Sequence, residues 1–466
     1  MMEAYRLTRK DGAPGIDGVT AADHDVNLEA NLLDLLERIK SGRYRAPPVR
    51  RAYIPKADGS LRMLGIPTFE DKVAQRAVTM MLEAVYEQDF LPCSYGFRPG
   101  RSAHQALRTL QSVLWAKRLY WVIDIDIRKY FDSISHSHLR TFLDQRVTDG
   151  VIRRMIDKWL NAGAVENGLL RRTTEGSPQG GVISPCLSNV FLHYVLDEWF
   201  ETVVKPRLGG ESLLVRFADD AIMAFDNLVD AQRVLAALGK RLARFGLTLH
   251  PDKTRLVDFR PHMTESARHP ETDGTNFDFL GFTHVWGRSR NGKSMVRQVT
   301  AKGRFARAVA AVSDWCRQHR HEPIRDQHRH LSSMMRGHFA YYGVGGNIRR
   351  LRPSSGANMA EVAVSARSSK RRHMDALQRT LETPSSAFSQ DRPRIRCRER
   401  ISLVKNRMRE FRSSGSVRDG DGNVPIYSAM TLFGLKLCFG SPYFFDATAK
   451  ACKTPFDPRT SRYVAP

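Results

Sequence analysis

Apolar and polar positions alternate along this chain with two different periods, and the switches between them outline its elements. Residues 27–40 (NLEANLLDLLERIK) repeat apolar positions at helical spacing and stop before Ser41-Gly42, which predicts a helix. Val49 to Pro67 reads as a hairpin, with AYIP and LRMLGIP flanking the turn Lys56-Ala-Asp-Gly59. Residues 69–90 predict a helix of mixed polarity, 119–127 (LYWVIDIDI) a strand, and 136–161 helix. The Gly/Pro-rich stretch Gly176 to Pro185 opens a long apolar helix over about 186–203, and Leu213 to Phe225 reads as two strands folded around a turn. A surface helix with a Gly246 cap is expected over 228–246, and a strand region over Thr275 to Val285. Beyond about residue 300 the pattern turns helical and Arg-rich until a linker at 411–423 (FRSSGSVRDGDGN) and a short aromatic-containing tail.

Charge narrows the partners. Seventy-three Lys and Arg stand against 49 Asp and Glu, a net +24. Residues 301–410 hold 24 of the bases and 9 of the acids, so more than half of the excess sits in one segment. Such a localised footprint attracts polyanions, although a merely basic surface would look the same by charge alone. No apolar run approaches the roughly 18 residues a membrane span needs, and the N-terminus lacks a signal-peptide core, so no membrane partner and a cytoplasmic location are expected. Six cysteines without Cys-x-x-Cys spacing predict reduced, mostly buried thiols. The histidines near 319–330 have no finger-spaced partners and are read as surface or RNA-facing.

The chemistry concentrates in two acidic strands. LLVRFADDAIMAF sets Asp219 and Asp220 side by side between apolar runs, where neighbouring carboxylates can serve one site only through a turn or bulge. An Asp-Asp pair by itself is also an ordinary solvated turn. However, Val122 to Asp132 (VIDIDIRKYFD) is a second apolar strand, with Asp124 and Asp126 on one face. Two such strands can gather three carboxylates around a pair of hard divalent ions, the arrangement of nucleotidyl transfer.

Eight stretches stand in a recurrent order: GAPGIDGVT, YIPKADGSLRMLGIP, YGFRPGRSAHQAL, DIDIRKYFDSI, GSPQGGVISP, RFADD, GLTLHPDKT and FLGF. On them, the chain from about Gly12 to Arg350 resembles the reverse transcriptases, in particular the bacterial group II intron-encoded reverse transcriptase/maturases. The resemblance implies an α+β right-hand polymerase fold: N-terminal extension and fingers over 1–118, an antiparallel-sheet palm with remaining fingers elements over 119–290, a helical thumb or maturase region over 291–410, and a tail over 411–466. It further implies two Mg2+ ions, replaceable by Mn2+, held by Asp126, the Ile127 carbonyl, Asp219 and Asp220, with Asp124 as a structural neighbour. Lys56, Arg62 and Gln179 would meet the incoming deoxynucleoside triphosphate, and Phe131 would exclude a 2′-hydroxyl, making DNA the product. Arg98 would touch the template backbone or form an internal salt bridge. Lys253, Phe279, Leu280 and Gly281 would meet the primer and template.

The implied partners are an RNA template, a DNA primer and a structured group II intron RNA. Three departures from the family pattern stand out. Only about ten residues precede Asp11, residues 353–369 lack an expected Trp-containing helix, and the tail has no His/Cys nuclease arrangement. The alternatives are a splicing maturase with weak polymerase activity and a defence- or CRISPR-associated reverse transcriptase.

Overall fold

The computed structural model describes residues 1–55, 61–166, 169–171, 176, 180–261, 272–289, 291–345 and 347. Lys56, Gln179, the atypical 353–369 stretch and the C-terminal tail lie outside the described residues, as does the side chain of Arg62. The chain runs α1 (Met2–Leu7), α2 (Ala21–Asp25), α3 (Leu28–Lys40), β1 (Val49–Pro55), β2 (Leu61–Ile66), α4 (Phe69–Tyr86), α5 (Ala103–Lys117) and β3 (Trp121–Ile125). It continues with α6 (His136–Asp144), α7 (Gly150–Asn161), β4 (Ala164–Glu166), β5 (Leu169–Arg171), α8 (Ser184–Leu192), β6 (Ser212–Phe217), β7 (Asp220–Phe225) and α9 (Leu228–Ala243). The described part ends with β8 (Arg255–Asp258), β9 (Phe277–Phe279), β10 (Phe282–Arg288), β11 (Ser294–Thr300), α10 (Lys302–Gln318) and α11 (Ile324–Tyr342).

Helices and mainly antiparallel sheets are mixed along the chain, an α+β architecture. One sheet has the order β2-β1-β4-β5, a second β11-β10-β9, and the central one β6-β7-β3-β8 with every neighbour antiparallel. The central sheet is buried on both faces, because successive side chains of a strand point to opposite sides. Ile123, Ile125, Leu214, Met223 and Phe225 join the larger core with α4, α6, α7 and α8. Val122, Val215, Ile222, Ala224 and Val257 join a second core with α5, Phe279, Phe282 and the end of α11.

Several predicted elements take a different form. The 136–161 region is two helices, since Asp149 accepts hydrogen bonds from Val151 and Ile152 N–H (2.8 Å each) and starts α7 afresh. The long apolar helix begins as α8 but widens into π-helical turns at His193–Asp197 and Phe200–Val204. The helix of 69–90 ends at Tyr86. Periodicity does not single out α5, β8 or β11. The histidines at 319 and 330 are not simply surface groups, because both stack on Trp315 (centroids 4.5 and 4.4 Å). Cys93, Cys186 and Cys316 are free thiols, two of them buried.

Candidate active site

The turn between β6 and β7 carries Asp219 and Asp220. Phe217 pairs with Asp220, so Ala218 and Asp219 form a two-residue turn, and Ala218 sits in the left-handed region at φ 58°. The neighbouring strand β3 pairs with β7 through Ile125 opposite Ala221. One step further along this register, Asp126 stands beside Asp220. Alternation also puts Asp124, Asp126 and Asp220 on the face shared with Val122, Ile222 and Ala224. Three of the acids therefore reach the same edge of the sheet for a backbone reason.

Asp126 lies just past the end of β3 and is anchored by its own peptide. Its carbonyl accepts from His250 N–H (2.8 Å) and from the Thr254 hydroxyl (3.2 Å). The side chain faces Lys253, whose Nζ is 3.7 Å from Oδ2. Ile127 is buried and bridges to Leu249 in an isolated antiparallel pair. Asp124 is bound differently, by Arg255 at 3.0 Å. Burial pushes its carboxyl up to about 6, against the pull of Arg255, and nearby Asp220 and Asp278 add to the rise.

These donors suit a hard divalent cation by type, being carboxylate oxygens at adjoining strand ends. Among the described residues, no three His, Cys, Asp or Glu side chains yet converge closely enough to hold an ion. Lys253 is the positive charge facing Asp126.

A cavity of about 440 Å³ opens beside these acids, lined by Asp124, Asp126 and Asp220 together with Leu280, Arg304 and Tyr341. Phe279, Leu280 and Gly281 belong to the tight β9–β10 hairpin, in which Leu280 and Gly281 both have positive φ (50° and 81°). Phe279 is buried, and the Leu280 carbonyl accepts from the Tyr341 hydroxyl at 2.8 Å, tying the hairpin to α11. Phe131 is half-buried on a short 3-10 turn, edge-on to Tyr130, whose hydroxyl donates to the Ser188 carbonyl (2.9 Å). Arg62 sits on β2 opposite Ile54.

Of the two expectations for Arg98, the internal salt bridge is the one present. Its guanidinium is buried, grips both Glu87 carboxylate oxygens and donates to the Leu91 and Ser94 carbonyls at 2.8 and 2.9 Å. A buried charge needs such partners, and here Glu87 and two carbonyls occupy its guanidinium donors instead of a template backbone. Gly96 and Arg216 lie within the matched stretches YGFRPGRSAHQAL and RFADD but had no role there, and with Asn189 and Asp197 they pack under the Asp219 turn. A charged residue inside the apolar run LLVRF was the available signal for Arg216.

Residues 54–284, from the end of β1 into β10, match the family model for "Reverse transcriptase (RNA-dependent DNA polymerase)". The chain is also similar to the protein YkfC of Escherichia coli strain K12, with 34% identity over 350 residues, 67% of this chain and 88% of YkfC. The chain belongs to the reverse transcriptase family. Within that family it is related to intron-encoded proteins. This reverse transcriptase is 38% identical to the group II intron-encoded protein LtrA of Lactococcus lactis subsp. cremoris over 210 residues, 45% of its own length and 34% of LtrA. It is 39% identical over 287 residues to an uncharacterized 91 kDa protein in a cob intron of Schizosaccharomyces pombe, again covering only 35% of that protein. The reverse transcriptase thus spans about a third of the length of these two intron-encoded relatives.

Proposed function

We propose that this reverse transcriptase extends a DNA primer on an RNA template at the edge where β3, β6 and β7 meet. The observation that carries the reading is the antiparallel register of β3 and β7, which aligns Asp126 with Asp220 on one face, next to the turn bearing Asp219. Asp126, Asp219 and Asp220, with the Ile127 carbonyl, would hold two magnesium ions, or manganese in their place. When bound, the ions supply charge stabilisation at the attacking and leaving oxygens of nucleotidyl transfer.

The chain's own residues supply position. Lys253 neutralises Asp126 until a cation arrives, and Arg255 keeps Asp124 out of the ligand set. Phe131 would supply the bulky ring that refuses a ribose 2′-hydroxyl, while Lys56, Arg62 and Gln179 would meet the triphosphate. The β9–β10 hairpin and Arg304, which line the same cavity as the acids, are suited to the primer end and its phosphates. In this reading β1–β2 and the N-terminal helices are fingers (1–118), the central sheet is palm (119–290), and α10 and α11 begin a thumb (291–410) before the tail (411–466). The Arg-rich thumb and the intron-encoded relatives support an intron RNA as partner, held through its backbone.

The test is primer extension on an RNA template with magnesium, comparing the full chain with Asp219→Ala/Asp220→Ala. Extension by the parent and none by the variant is expected. Equal extension would remove the active-site assignment. A parent that binds intron RNA but extends nothing would leave a maturase without polymerase function.

A further inference from the structure

Beneath the Asp219 turn lies a fully buried polar knot that the polymerase reading does not use. Arg216 and Asp197 are each 0% exposed. Arg216 Nε and Nη2 donate to the two Asp197 carboxylate oxygens at 2.7 and 2.5 Å. Nη2 also donates to the Ser94 hydroxyl at 2.8 Å, and Nη1 to Asn189 Oδ1 at 2.9 Å. The remaining Nη1 bond, 3.0 Å, goes to the carbonyl of Ala218. All five guanidinium donors are thereby used. Asn189 in turn donates through Nδ2 to the Gly96 carbonyl at 2.7 Å, and the Cys93–Tyr95 backbone is bonded to Arg216 N–H and C=O at 2.8 Å each.

A buried ion pair is a poor way to add stability, since desolvation offsets most of its attraction. Its geometry here points elsewhere. The one backbone group of the turn that it reaches is Ala218, which holds a left-handed conformation that residues with a side chain rarely adopt. Asp197, the anchor of the pair, comes from the π-helical turn after α8, and widened turns of this kind re-aim side chains at functional sites. We propose that Arg216, charge-matched by Asp197 and oriented by Asn189, is a positioning residue that holds the Ala218 peptide in its left-handed state and so sets where Asp219 and Asp220 present their carboxylates. This rests on the assignment of those two acids as metal ligands.

The test uses the full chain carrying Arg216→Met/Asp197→Leu, which removes both charges together and leaves neither buried alone. Thermal unfolding checks that it folds, and Asn189→Ala carries the same comparison if it does not. Expected are an unchanged template-primer affinity, a magnesium half-saturation raised roughly tenfold and a kcat lowered roughly a hundredfold, as for a displacement near 1 Å. In the metal-free protein, amides of 217–221 should exchange faster than in the parent, while those of β3 should not. Adding Ala218→Gly should return part of the lost kcat, because glycine takes the left-handed conformation without bracing. A folded variant with parental magnesium dependence and parental exchange at 217–221 would overturn the proposal. Failure of the metal assignment would read differently: the Asp219→Ala/Asp220→Ala chain would still extend primers, while faster exchange in the Arg216 variant would still report the lost brace.

Discussion

Gly96→Ala isolates how closely the acidic turn must be packed. An added Cβ would stand 2.4 Å from Ala218 N, 2.9 Å from Phe217 C and 3.2 Å from Ala218 Cα, all backbone atoms with no side chain to swing aside. Ordinary van der Waals contact begins near 3.4 Å, so the turn or the 94–98 loop must shift by about 1 Å. The loop has little freedom to yield. Ser94 bridges to Arg216, Tyr95 N–H donates to the Arg216 carbonyl at 2.8 Å, and Asn189 holds the Gly96 carbonyl. Overpacking of this kind costs about 1–3 kcal/mol of stability. A displacement of about 1 Å at a catalytic carboxylate lowers the rate about a hundredfold. Steady-state primer extension with separate kcat and KM, alongside thermal unfolding, measures both. Gly239→Ala is the control, since nothing lies within 4 Å of its added Cβ on α9, and it should stabilise by about 0.5–1 kcal/mol. Parental kcat and magnesium dependence in Gly96→Ala would refute the claim that the turn is sterically set from beneath.

Other outcomes follow from single groups. Phe131→Val should raise ribonucleotide incorporation roughly tenfold or more, scored by extension with ribonucleoside triphosphates, and unchanged discrimination would dismiss the ring as the gate. Gly281→Ala places a side chain at φ 81° with its Cβ 2.9 Å from the Tyr342 hydroxyl. It should cost about 1–2 kcal/mol and raise KM for the primer-template, and a variant equal to the parent in both would contradict the hairpin's role. Asp71, buried under Tyr44, Trp159 and Gln75, has its carboxyl pushed up by burial from 3.8 to about 6. A raised folded pKa gives stability that is complete below about pH 4 and lost as pH rises through about 6. Relative to Asp71→Asn, which cannot titrate there, the parent should lose about 2.5 kcal/mol between pH 4 and pH 7.5 in urea unfolding, and a flat difference would contradict the burial argument.

Much of the site was legible because its parts are local. The apolar runs around Asp124, Asp126, Asp219 and Asp220 predict two strands and a tight turn, and β3, β6 and β7 occupy those stretches. The two-residue spacing of Asp124 and Asp126 puts them on one face in any strand. Different roles for the two came only from the resemblance, and the cation that each one meets was not legible. Arg255 binds one and Lys253 the other, and both cations arrive from a segment more than 120 residues later. Arg98 shows the same limit, for the FRPG stretch cannot reveal that Glu87 and two carbonyls enclose its guanidinium.

What the sequence by itself determined was the set of elements and the chemical types available: apolar strands with embedded acids, a basic C-terminal half, and an ordered series of motifs. Periodicity and motif spacing are properties of neighbouring residues, so they survive without a fold. Only the tertiary structure decided which acid stands beside which and what braces them. That the Asp219 turn rests on Arg216, with its charge met by Asp197 from a π-helical turn and its orientation by Asn189 from α8, depends on strand pairing and helix packing across distant parts of the chain. Burial then completes the decision, because a charge taken out of water must find every partner within reach, wherever in the sequence those partners lie.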